Sequence, residues 1–201
     1  MSPRNSAAAA EATRETIVDR AIEVASLEGL EGLTIGRLAS DLDMSKAGVV
    51  GGFGSKQSLQ LATLHGAIAV FRREVWDKVE DVQAGLPRLQ AICAAWVAYL
   101  DDTPFPGGCF LTAASFEFDG RPGPVRDAVA ATMELWLGVL TREARIAVEV
   151  GDLPAQTDPT QIAFELNALA VGANQSRQLH EARDVGKRTL AAMHRVLTTT
   201  G

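Results

Sequence analysis

"LTIGRLASDLDMSKAGVVGGFGSK", residues 33–56, decides how the chain is read. Thr34 and Ser45 each stand where a helix wants an N-cap hydroxyl, and each precedes a short apolar pattern. After Thr34 the stripe is Ile35, Leu38, Ala39 and Leu42; around Ser45 it is Met44, Val49 and Phe53. Asp43 falls in the turn between them, where the backbone must be left-handed and aspartate tolerates that conformation. Two short helices joined by so tight a turn make a helix-turn-helix pattern. The second helix carries Gly48, Gly51 and Gly52, with Gly54 just beyond. A glycine inside a helix costs about 1 kcal/mol against alanine, so these glycines weaken the helix that carries them.

Working outward, Ile17, Val18, Ala21, Ile22 and Ala25 fall at helical spacing after Thr13, and "LEGLEGL" stops that helix at Gly29 and Gly32. Residues 1–12 read as a disordered polar and alanine-rich arm. Ser55 caps a fourth helix that is expected to run to about Val82. Gly85 and Pro87 then mark a boundary. Beyond it come a helix over "PRLQAICAAWVAYL", a loop at "TPFPGG", the apolar "CFLTAASFEF", and a helix from about Val125 to Val150 with Pro124 at its first position. "GDLPAQTDP" breaks the chain again before the last two helices, at about 160–182 and 184–198. "CFLTAASFEF" fits helix or strand by periodicity, but nothing nearby would pair with it as a sheet. The expectation is an all-α protein of about nine helices. Its segments are the arm (1–12), a helix-turn-helix domain (13–60, motif about 34–53), a connecting helix (61–84) and a larger helical domain (85–201).

Composition sets limits on function. The chain has 201 residues and a formal net charge of −6. Residues 1–80 hold nine Lys/Arg against eleven Asp/Glu, so any DNA contact must come from a few local cations rather than a general basic field. There is no run of apolar residues long enough to span a membrane. The first residues lack the apolar core of a secretory signal, so a cytoplasmic location is expected. Cys93 and Cys109 are too few for a disulfide framework and read as free thiols in a reducing compartment.

Residues 13–60 resemble the N-terminal domain of the TetR family of transcriptional regulators. The resemblance is carried by "LTIGRLASDLDMSK" and by the "FGSK" that opens the fourth helix; "GGCFLTAASFEFDGRPGPVRDAV" is similar to a C-terminal domain found in some members. The resemblance implies a homodimer whose helix-turn-helix units read a palindromic, double-stranded DNA operator. It also implies a C-terminal domain that binds a small organic effector and releases a repressor from DNA. The third helix is then the recognition helix, and Lys56 matches the family's phosphate-contacting lysine. Where the family carries threonine, tyrosine and two histidines, this sequence has Gly48, Val50, Gly51 and Gly52.

The candidate DNA contacts follow from geometry and from that resemblance. At 100° per residue, Ala47 and Gly51 point away from the Val49/Phe53 stripe, with Gly48 and Val50 beside them. Lys46 offers a donor to guanine or to phosphate, Ala47 and Val50 suit thymine methyls, and the glycines let the backbone approach base edges. Thr34 and Ser45 offer hydroxyls and helix N-termini to phosphates; Arg37 and Arg14 are further cations. For the effector, an apolar pocket between helices would be lined by Trp96, Phe110, Met133, Trp136 and Asn167. The eighth helix, "QIAFELNALAVGA", is apolar on both faces, so one face is left for a partner copy. The expected dimer interface is Leu169, Gly172 and Ala173 with Leu190, Met193 and Leu197 of the ninth helix.

No catalytic or cofactor chemistry is expected. His65, His180 and His194 have no ligand spacing, Ser115 lacks a nucleophile-elbow context, and no glycine-rich phosphate loop follows a strand. Glu117 and Asp119, two apart near a turn, read as surface or capping groups. A second reading stays open: a small-molecule-binding helical dimer of the same descent that does not read DNA. The glycines of the third helix are the feature that favours it.

Overall fold

The computed structural model describes residues 3–198, with side chains from Ala8 onward, and the regular elements among them are all helical, nine of them α-helices. They are α1 (Pro3–Gly32), α2 (Ile35–Asp41), α3 (Lys46–Phe53), α4 (Lys56–Phe71), α5 (Leu86–Asp101), α6 (Phe110–Phe118), α7 (Pro124–Glu149), α8 (Pro159–His180) and α9 (Val185–Thr198). The chain divides into two compact units. The first holds the chain up to Ala69 together with Phe105–Val129, and the second holds Val70–Pro104 with the chain from Ala130 onward.

Three elements differ from the sequence-based expectation. The segment expected to be a disordered arm is helical from Pro3, because the run Ala7–Ala10 has the highest helix propensity available; Met1 and Ser2 lie outside the described residues. The fourth helix was expected to reach Val82, but α-geometry ends at Phe71 and a wide π turn follows at Arg72–Trp76, with the Asp77 N–H donating to the Arg72 carbonyl at 2.9 Å. The wide turn keeps Phe71, Val75 and Val79 facing inward, all of them buried. Third, spatial grouping does not follow the chain order: α6 and the start of α7 belong to the unit that holds the helix-turn-helix.

Contacts inside the first unit explain that assignment. Gly29 breaks α1 with φ 78° and ψ 163°, a conformation open to glycine and strained for other residues. The break leaves the next backbone N–H groups without helical partners, and Glu117 of α6 accepts from both Leu30 (2.9 Å) and Glu31 (2.8 Å). The sequence left Glu117 as a surface or capping group; that it caps, and that its partners lie nearly ninety residues away, only the fold decides. Gln60 of α4, itself buried, donates from Nε2 to the Leu30 carbonyl and to the Glu31 carboxylate, each at 2.9 Å. Gly107 lies so close to α1 that a Cβ there would run into the Ser26 carbonyl.

In the second unit, α8 and α5 both pack against α9, and the interior includes Leu89, Ile92, Leu140, Leu166 and Met193. Glu143 of α7 has a fully buried carboxylate that accepts from the Gly85 N–H at 2.9 Å and pairs with Arg88 (3.3 Å) and Arg142 (2.6 Å). Burial alone would raise its pKa. The Gly85 N–H and the two guanidiniums outweigh that and hold the carboxyl below its ordinary value. Among the described residues no helix is long and apolar enough to cross a membrane.

Candidate nucleic-acid interface and effector site

The turn between α2 and α3 forms as its residues dictate. The Thr34 hydroxyl caps α2 by accepting from the Arg37 N–H at 3.1 Å, and the Ser45 hydroxyl caps α3 by accepting from the Gly48 N–H at 3.0 Å. Asp43 takes the left-handed conformation, φ 51°. Leu38, Ala39 and Val49 are buried beneath the motif, while Leu42, Met44 and Phe53 are half-buried. Val49 is the only buried residue of α3, so nearly the whole helix surface is open.

All nine residues assigned to DNA contact lie on the surface of the first unit: Thr34, Arg37, Ser45, Lys46, Ala47, Gly48, Val50, Gly51 and Lys56 are exposed. Their chemistry is less uniform than their exposure. Arg37 is tied to Asp41 at 3.0 Å and to Glu28 at 3.3 Å. Lys56 donates to the Glu31 carbonyl at 2.7 Å and approaches its carboxylate at 3.3 Å. The Gln60 amide first, and Lys56 after it, hold the Glu31 carboxyl below its usual range. The Arg37–Glu28 and Lys56–Glu31 pairs are solvent-exposed on both sides, so each contributes little to stability. Arg14 has another task. Its guanidinium donates to the Gly52 carbonyl at 2.7 Å and lies 4.5 Å from the centre of the Phe53 ring, which fastens the end of α3 to α1.

The glycines of α3 separate into two groups. A Cβ on Gly48 would touch Ser45 and Met44, at 3.4 and 3.5 Å. A Cβ on Gly51 or Gly52 would meet nothing within 4 Å, so packing within the chain does not require glycine at either position.

The five residues assigned to the effector divide between the two units. Phe110 belongs to the first unit, where its ring meets Phe105 at 6.0 Å. The other four are in the second unit. Trp96 and Trp136 form a perpendicular ring pair with centroids 5.1 Å apart. Phe71, which sequence reasoning missed, joins them: it meets Trp136 at 5.0 Å, Tyr99 at 5.3 Å and Trp96 at 6.2 Å. Met133 is half-buried on α7, and the side-chain oxygen of Asn167 on α8 is buried with no hydrogen-bond partner.

The dimer assignment needs correction at three positions. Ala173, Met193 and Leu197 are buried inside the protomer, because α8 and α9 use them against their own unit. Leu169 and Leu190 are half-buried, and Gly172 is exposed with open space around it. The apolar surface left free on α8 is a stripe of Phe164, Ala168, Gly172 and Leu179. The two apolar faces of α8 were legible in the sequence. Which face turns inward depends on packing against α5 and α9.

Fold and site together define a helix-turn-helix protein with a second, all-helical unit. Residues 85–193 match the family model described as Tetracyclin repressor-like, C-terminal domain, and the chain belongs to the TetR family of transcriptional regulators. A TetR transcriptional regulator from Chloroflexus aurantiacus J-10-FL superposes with a TM-score of 0.87 at 20% identity, over 95% of this chain and 96% of that one. A TetR-family transcriptional regulator from Streptomyces coelicolor does so at 0.78 and 25% identity, over 100% and 96%. AibR, solved in complex with isovaleryl coenzyme A and operator DNA, gives 0.72 at 19% identity, over 94% of this chain and 100% of that chain. No curated protein sequence matches the chain.

Proposed function

We propose that the chain is a ligand-responsive, DNA-binding transcriptional regulator that acts in the cytoplasm as a homodimer, represses from a palindromic operator and is released by a small organic effector. The observation that carries this reading is the capped helix-turn-helix with one buried residue on α3 and the rest of that helix open. AibR, of the same fold, was solved with both operator DNA and an acyl-coenzyme A. Lys46 and the cations Arg37 and Lys56 supply phosphate contacts, the Thr34 and Ser45 N-termini position the motif, and Ala47 and Val50 offer apolar contact to thymine methyls. The exposed stripe of Phe164, Ala168, Gly172 and Leu179 is the face through which two copies associate.

Operator selection from random duplexes with the full chain tests the DNA reading. Enrichment of a palindrome is expected, and binding no better than to random DNA would sink it. Gly172→Arg places a long charged side chain where close helix approach is expected. It should convert a dimer to a monomer at micromolar concentration in light scattering, with the melting temperature of the protomer little changed. A wild-type mass equal to one chain would remove the dimer. The reading without DNA recognition is favoured by the unfurnished face of α3, and the same selection decides between the two.

A further inference from the structure

Two indoles in the second unit hold buried N–H groups with nothing to donate to. Trp96 on α5 is 5% exposed and Trp136 on α7 is 9% exposed, and neither Nε1 has a hydrogen-bond partner. Among the described residues four buried side-chain polar atoms lack a partner, and half of them sit on these two touching rings. Buried donors are nearly always paired, since leaving one unpaired forfeits its hydration without return. An ordinary aromatic core would use phenylalanine here, or would aim each indole at a carbonyl. The indole N–H is a donor only, so whatever satisfies these groups must bring an acceptor.

The surroundings narrow the chemistry further. Phe71 packs on both indoles and Tyr99 packs on Phe71, so the surroundings favour an aromatic, apolar body. Cys93, three residues before Trp96 on the same helix, is buried and its thiol is pushed up to about 12 by burial, so this part of the unit disfavours charge. The rings meet edge to face at 5.0 to 6.2 Å, so an occupant enters only if a ring turns aside.

We propose that the Trp96–Trp136 pair is the effector seat, and that the effector is an uncharged aromatic molecule with an oxygen acceptor, of the aryl ketone or quinone class, held by the indole N–H groups. This rests on the ligand-responsive reading above and adds the chemical class of the ligand.

The test compares two probes of one shape by calorimetry on the full chain: benzophenone, and 1,1-diphenylethylene, in which a CH2 group replaces the oxygen. The wild type should bind the ketone about tenfold more tightly, the ratio expected for one added hydrogen bond. The near-ultraviolet circular dichroism of the tryptophans should change with the ketone as the rings rearrange. Joint Trp96→Phe and Trp136→Phe replacement should bring the two probes within twofold of each other. Because phenylalanine is smaller and can leave a void, the same titration is run on protein in which tryptophan is replaced throughout by benzothienylalanine. That side chain keeps the ring volume and lacks the N–H. The ketone preference should vanish there while the melting temperature holds. Equal affinity of the two probes for the wild type, binding of neither, or a ketone preference that survives removal of the N–H groups would each overturn the proposal. Operator binding is measured separately on the same samples. An operator-selecting protein without the ketone preference removes the seat and keeps the regulator. A ketone preference without operator selection does the reverse.

Discussion

Gly107 and Gly51 are the same residue for opposite reasons. Gly107 is held against α1 so closely that a Cβ would overlap the Ser26 carbonyl, whereas a Cβ on Gly51 would project into open space, as would one on Gly52. At Gly107 the chain's own backbone dictates glycine. On α3 nothing in the chain does, and the residues lower the stability of their own helix. On the DNA-reading proposal, these bare positions let the α3 backbone approach base edges closely; on the alternative reading, they mark a face that reads no DNA.

The largest effect should come from Gly107→Ala. The obstacle is backbone, which cannot swing aside, so the loop over 105–109 must lift from α1. A loss of at least about 3 kcal/mol is expected, read as a melting temperature lower by roughly 10 °C. An unchanged melting temperature would show that this close approach is not built into the fold. Gly66→Ala should cost less, about 1–2 kcal/mol, because the atoms its Cβ would meet are the side-chain tips Val18 Cγ1 (2.7 Å) and Ile22 Cδ1 (2.8 Å), which can shift. Gly51→Ala and Gly52→Ala should move the other way, each raising the stability of the free protein by up to about 1 kcal/mol. Both should weaken binding to a selected operator severalfold. Retained affinity would remove close backbone approach from the account of DNA recognition.

A smaller contrast separates two carboxylates. Glu31 and Glu143 are both held below the ordinary glutamate range, Glu31 at a half-exposed site and Glu143 at a fully buried one. A depressed carboxyl stabilises the fold above its unfolded pKa, and that stabilisation is lost as pH falls through the folded value. Stability should therefore decline below about pH 5. Glu143→Gln should flatten that decline more than Glu31→Gln, since solvent screens the exposed site. Equal slopes for both variants in acid melts would contradict the difference in burial.

Local chemistry was legible wherever neighbours in sequence decide the structure. Thr34, Asp43, Ser45 and Ser55 fixed the ends of three helices and the turn between two of them, because capping and left-handed preference act over a few residues. The end of α4 was misread because a π turn preserves the apolar spacing from which a longer α-helix would be inferred. Phe71 was missed in the candidate effector site because its partners come from α5 and α7. Trp96 and Trp136 were visible as aromatic residues, but the orphaned state of their N–H groups depends on what surrounds them in three dimensions.

The sequence by itself determined an all-helical chain, a helix-turn-helix at its N-terminal end and a third helix stripped of large side chains. Each of these follows from periodicity, capping residues and composition within a short window. Tertiary structure alone decided that α6 joins the helix-turn-helix unit through Glu117 and Gly107, and that Ala173, Met193 and Leu197 turn inward. It also decided that Arg14 fastens α3 rather than standing free. The physical reason is common to all of these: each depends on contacts between residues far apart in the chain, and a one-dimensional pattern records which residues are apolar or charged but not which of them meet.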